Sequence, residues 1–165
     1  EAHNLVERAR EMYSAKLEKE EFLAAKKYYE PFKSVVKQIN SCNRKLLELK
    51  RECDVWKVLP EGEGIGSFVM ALERLYEALN RLSETHPEWT APKEASEFFF
   101  HVRDFLEVYE QLNEHYAVYM EHTSQGTFQI NLLSIDKECQ NRVIHYVVDH
   151  LIFILFDTKS NILFI

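Results

Sequence analysis

Apolar residues recur at alternating three- and four-residue intervals along three stretches of the chain. Phe32, Val35, Ile39, Cys42, Leu46, Leu49 and Cys53 form the first stretch. Ile65, Phe68, Leu72, Leu75, Leu79 and Leu82 form the second, and Ala95, Phe98, Val102, Phe105, Tyr109, Leu112 and Tyr116 the third. This spacing gathers the apolar side chains on one stripe of a helix, the seam by which it packs on its neighbours. The helix breakers fall between the stripes. Pro31 is suited to open the first helix, since its fixed φ fits a first turn. The segment Pro60 to Gly66 parts the first helix from the second, and His86 to Pro92 the second from the third. Connections this short predict antiparallel neighbours, so the expected centre is a bundle of three helices, each about 30 Å long.

The flanks follow other periods. Residues 4 to 12 predict a short helix, and residues 19 to 29 a second. Tyr116 to His122 and Thr127 to Ile135 alternate around Thr123-Ser124-Gln125-Gly126, the signature of a β-hairpin with glycine at its turn. A short helix is expected near Lys137 to Tyr146. Leu151 to Phe156 is six apolar residues in a row and predicts a strand buried on both faces. Such a strand belongs in an α/β sheet that the rest of the chain is not expected to form. The fold class expected is therefore mainly α: an antiparallel helical bundle, a β-hairpin, and a C-terminal strand left over from an incomplete α/β domain. The expected division is residues 1–18, 19–115 and 116–165.

Composition narrows the class. The chain has 165 residues, 46% of them hydrophobic, with four glycines and four prolines. That excludes a disordered or low-complexity chain and suffices for a buried core. No apolar run reaches membrane-spanning length, and the first residues lack the basic and apolar regions of a signal peptide, so a cytoplasmic setting away from membranes is expected. Cys42, Cys53 and Cys139 are widely spaced, which argues against a disulfide framework or a cysteine zinc site. His145, Asp149 and His150 lie close in sequence but lack a further anchor for a metal, and none is expected. The chain has no phosphate loop and no nucleophile elbow, and Gly62-Glu63-Gly64-Ile65-Gly66 follows no strand, so it is expected to be a linker.

Charge changes the picture more. The net charge of −7 is an average. Residues 24 to 52 hold eight Lys or Arg against three Glu, or +5, which leaves −12 for the remainder. Lys37, Arg44 and Arg51 recur every seven residues opposite the apolar seam, and Lys33 extends their line. The pattern fits either a solvated helix face or a ridge that contacts phosphates with sequence-independent, salt-sensitive affinity. Tyr28, Tyr29 and Phe32 lie beside it, as candidates for stacking on bases or as boundary residues of the core. Opposite in sign, Glu73, Glu77 and Glu84 on the second helix and Asp104, Glu107, Glu110 and Glu114 on the third form acidic faces.

Glu1-Ala2-His3-Asn4-Leu5 resembles the end of a D-E-A-H Walker B box with the Asn-Leu that commonly follows it. Residues 1 to 14 (E-A-H-N-L-V-E-R-A-R-E-M-Y-S) look like the segment after that box in the DinG and XPD group of superfamily 2 DNA helicases. Phe98 to Tyr119 resembles the return from the Arch domain inserted in these enzymes, and Phe128 to Asp136 the strand that follows. The resemblance is strongest at 1 to 14 and 97 to 136. It implies an Arch-containing fragment of an ATP-dependent DNA helicase, acting in repair or replication, with single-stranded DNA and the rest of the helicase motor as partners. Glu1 would match the glutamate that polarises the attacking water, and His3 the histidine that couples the ATP site to DNA. ATP and Mg²⁺ would be cofactors of the parent, and an iron–sulfur cluster would be held by cysteines upstream. The fragment alone is expected to be inactive. The resemblance also implies that Leu151 to Phe156 leads into motif III. There the match departs: Phe156-Asp157-Thr158-Lys159-Ser160-Asn161 stands where S-[AG]-T-L-[ST]-P is expected, and only Thr158 and Ser160 coincide. The basic ridge has no counterpart among the motifs, so its role rests on charge geometry. The alternative reading is a stand-alone helical protein-interaction module, without catalysis, that binds a basic partner through its acidic faces.

Overall fold

The computed structural model describes residues 13–135, and all elements below lie in the compact unit that ends at Ser134. The expectations for residues 4–12, 137–146 and 151–156, for Glu1 and His3, for Cys139, and for His145, Asp149 and His150 lie outside the described residues. In chain order the elements are β1 (Ala15–Glu18), α1 (Lys19–Tyr28), α2 (Lys33–Arg51), β2 (Trp56–Val58), a 3-10 turn (Pro60–Gly62), α3 (Gly66–Thr85), α4 (Lys93–Glu110), β3 (Tyr116–His122) and β4 (Phe128–Ser134).

The three apolar stripes become α2, α3 and α4, and their members are buried over most of their length. Two boundaries differ from expectation. Pro31 sits in the turn before α2, which starts at Lys33 with Phe32 as its cap. The third stripe runs on to Tyr116, yet α4 stops at Glu110. The Asn113 side-chain carbonyl accepts the His115 N–H at 2.8 Å, and its amide donates to the Gln111 carbonyl at 3.2 Å. An asparagine bonding to nearby backbone in this way competes with the helix and turns the chain. Leu112 and Tyr116 still pack on the core, so the apolar period outlives the helix that carries it.

The helices and the hairpin are as expected, but the hairpin belongs to a larger sheet, so the architecture is mixed α and β rather than an all-helical bundle. The hairpin β3–β4 is the centre of a four-stranded antiparallel sheet ordered β1-β4-β3-β2. Its two edge strands went unexpected because they have four and three residues, too few for a period to register. In β1, Leu17 is buried and pairs with Ile130. Strand β2 is short, but its hold on β3 extends past both ends: His122 N–H donates to the Val55 carbonyl and Leu59 N–H to the Val118 carbonyl, each at 2.8 Å. The turn between β3 and β4 fulfils its expected role. Gly126 takes a φ of 81°, a left-handed conformation that costs other residues about 1 kcal/mol or more. Thr123 and Thr127 close the loop through backbone and hydroxyl hydrogen bonds.

The core runs through helices and sheet together. Val118, Met120, Phe128, Ile130 and Leu132 are buried on one side of the hairpin. Among the helices, Phe22 of α1 meets Phe68 of α3 edge-on at 6.2 Å and Phe98 of α4 at 5.2 Å, and Phe68 continues to Phe105 at 6.1 Å. Edge-to-face contacts at these separations add to the burial of each ring. This aromatic row keeps α1, α3 and α4 together and leaves one flank of α2 to solvent.

Candidate nucleic-acid interface

Helix α2 has no glycine or proline between Lys33 and Arg51, and Lys50 and Arg51 in its last turn complement the helix dipole. Its inner face is Val35, Ile39, Cys42, Leu46 and Leu49, all buried. At about 100° per residue, Lys33, Lys37, Arg44 and Arg51 fall within an arc of about 40° on the opposite side. All four are exposed. None of the four has a hydrogen bond or ion pair among the described residues, whereas two nearby cations, Lys45 and Lys57, are engaged. Lys45 pairs with Glu48 at 2.7 Å, and Lys57 with Glu52 at 3.5 Å. From Lys33 to Arg51 the ridge is about 27 Å long.

An open depression of about 500 Å³ lies along the first half of this ridge, lined by Glu30, Lys33, Val36, Lys37, Asn40, Ser41 and Arg44. Asn40 and Ser41 were not singled out from the sequence. Asn40 lies three residues after Lys37 and four before Arg44, so helical spacing from those two cations would have found it. Glu30 is the one carboxylate in this lining. The first turn of α2 contains no acidic residue, so nothing there offsets Lys33 or the positive end of the helix dipole.

The aromatic residues expected beside the ridge are not free to stack on bases. Tyr29 is 2% exposed, and its hydroxyl donates to the Ala95 carbonyl at 3.0 Å. Burial pushes its pKa from 10.0 up to about 12. Phe32 is half-buried and packs edge-on against His86 at 5.2 Å and Trp89 at 5.0 Å. Tyr28 is half-buried against the core. These are boundary residues.

The acidic residues occupy other elements. Glu73, Glu77 and Glu84 are exposed on α3, and on α4 both Asp104 and Glu107 are taken up by Arg103, at 2.6 and 3.5 Å. Cys42 and Cys53 are free and buried. Burial pushes the Cys42 thiol from 9.0 up to about 12 and raises that of Cys53, so neither is a nucleophile in the folded chain. Among the described residues, no three His, Cys, Asp or Glu side chains converge on a point where a metal ion would sit. No helix among them is long and apolar enough to cross a membrane.

No protein-family model matches the chain, and no curated protein is significantly similar to it.

Proposed function

We propose that this chain carries the Arch-like domain of a DinG-like, ATP-dependent DNA helicase, and that α2 helps to guide single-stranded DNA along it. The observation that carries the DNA part is the alignment of Lys33, Lys37, Arg44 and Arg51, exposed and without anionic partners, on the face of α2 opposite its buried seam. Such a ridge attracts phosphates by charge and releases their counterions on contact. The helicase part rests on the resemblance of residues 1 to 14, 98 to 119 and 128 to 136. Under it, Glu1 and His3 contribute the end of the D-E-A-H box to the ATP site, and ATP with Mg²⁺ supplies the energy for movement in the parent. By itself the chain hydrolyses no ATP.

The test is a binding titration of the chain with a fluorescent single strand at several salt concentrations, beside a variant with Lys37, Arg44 and Arg51 each changed to Glu. The proposal expects salt-sensitive binding that the variant loses. If affinity and salt dependence survive charge reversal, the ridge is a solvated face. DNA-stimulated ATP turnover by the chain alone would overturn the statement about catalysis. The interaction-module reading keeps one observation in its favour, the exposed Glu73, Glu77 and Glu84 along α3. It predicts capture of a basic peptide that their change to Gln abolishes.

A further inference from the structure

Resting on the proposal that α2 meets nucleic acid, we infer that it binds the sugar–phosphate backbone alone and makes no contact with bases. Three observations converge on this. First, α2 contains no aromatic residue over its 19 positions, so the ridge carries no aromatic ring on which a base can stack. Second, the aromatics that precede it are spent on the fold. Tyr29 is bonded to Ala95, and Phe32 is wedged against His86 and Trp89. Third, the exposed aromatics among the described residues lie on other elements. Phe100 is on α4, with the Arg103 guanidinium 4.9 Å over its ring, and Asp104 and Glu107 hold that guanidinium. Tyr13 precedes β1. A strand on the ridge therefore meets cations and the short polar groups of Asn40 and Ser41, which suit phosphate oxygens. The bases are left facing away.

Backbone-only contact suits a surface along which a strand slides, because no position along it is favoured by the base it carries. Stacking side chains would hold each base in turn. The ridge is then indifferent to sequence and to the loss of bases.

The experiment compares two probes on the intact chain at low ionic strength: an oligothymidylate, and a strand of equal length with an abasic tetrahydrofuran unit at every position. The expected result is equal affinity within about twofold, lost for both probes in the Lys37→Glu/Arg44→Glu variant. A preference of about fivefold or more for the oligothymidylate, the effect of as little as one stacked base, overturns this inference and leaves the nucleic-acid reading standing. Binding to neither probe overturns both readings. Equal binding that the double variant keeps removes the ridge as the contact surface, and the inference with it.

Discussion

The Tyr29 hydroxyl donates to the Ala95 carbonyl at 3.0 Å, joining the end of α1 to the first turn of α4 across 66 positions. The ring is buried between Trp89 and Phe98, with centroids 5.5 and 6.5 Å away. One residue thus anchors the segment that leads into the basic helix and is withdrawn from any nucleic acid. Tyr29→Phe keeps the ring and removes the donor. It should cost about 1 kcal/mol, the usual net worth of one hydrogen bond. The check is a urea titration, in which the midpoint should fall with the slope unchanged. Affinity for an oligonucleotide should not change, because Tyr29 takes no part in binding. A loss of affinity without loss of stability would return Tyr29 to the interface.

High pH should unfold the protein through two buried acids. Tyr29 is raised from 10.0 to about 12 and Cys42 from 9.0 to about 12, both by desolvation. Below the ordinary values both groups are protonated in either state, and their contribution to stability is fully present. Above them the unfolded chain gives up protons that the folded chain retains, so stability falls as pH rises, until the folded pKa values are reached near 12. For each group the loss is about 1.4 kcal/mol per pH unit. Denaturant midpoints measured from pH 8 to 12 should therefore decline with increasing steepness, from pH 9 for Cys42 and from pH 10 for Tyr29. Cys42→Ala starts less stable but should decline less steeply. A flat profile through pH 11 would contradict the burial of both groups.

The ridge has a salt signature. Four cations on a single strand, at about 0.7 counterion released for each, give a slope near −3 for log affinity against log salt. Changing Lys37, Arg44 and Arg51 to Gln should bring the slope close to −1 and weaken binding mainly at low salt. Changing Lys45 and Lys57, which are tied to Glu48 and Glu52, should alter the slope much less. Anisotropy titrations from low to physiological salt decide this. Equal effects of the two sets would show that total charge matters and alignment does not.

The helices were legible because their stripes are long. Five or more apolar residues in phase define a face, and α2, α3 and α4 are buried on the faces so defined. The hairpin was legible from its alternation and from Gly126, whose positive φ the turn requires. What escaped was short or non-local. Strands β1 and β2 exist because β4 and β3 present ladders to pair with, 113 positions from Leu17 to Ile130 in one case, and no local period marks them. The ridge was legible from its heptad spacing of cations. That its charges are unpaired was not, since Lys45 and Lys57 look the same in sequence and differ only in having a carboxylate within reach. The fate of Tyr29 and Phe32 was equally hidden, because their partners at Ala95, His86 and Trp89 lie more than 50 positions away.

Glu121 offers a last measurable case, on the side of the sheet away from the buried Met120 and Ile130. Its Oε1 accepts from Gln129 Nε2 at 2.7 Å and from Asn131 Nδ2 at 3.2 Å. Both amides are more than nine-tenths removed from solvent, an unusual setting for polar groups unless each finds an acceptor. Glu121→Ala takes the acceptor from both at once and should destabilise the protein by about 2 kcal/mol or more, since each stranded buried donor costs about 1–3 kcal/mol. Glu121→Gln keeps a carbonyl oxygen at the same reach and should recover most of that loss, short only of the extra strength a charged acceptor supplies. Urea unfolding of the two variants separates the causes. If Gln is as damaging as Ala, the negative charge is what the amides require. If neither variant is destabilised, the amides find other acceptors and the cross-strand clamp contributes nothing to stability.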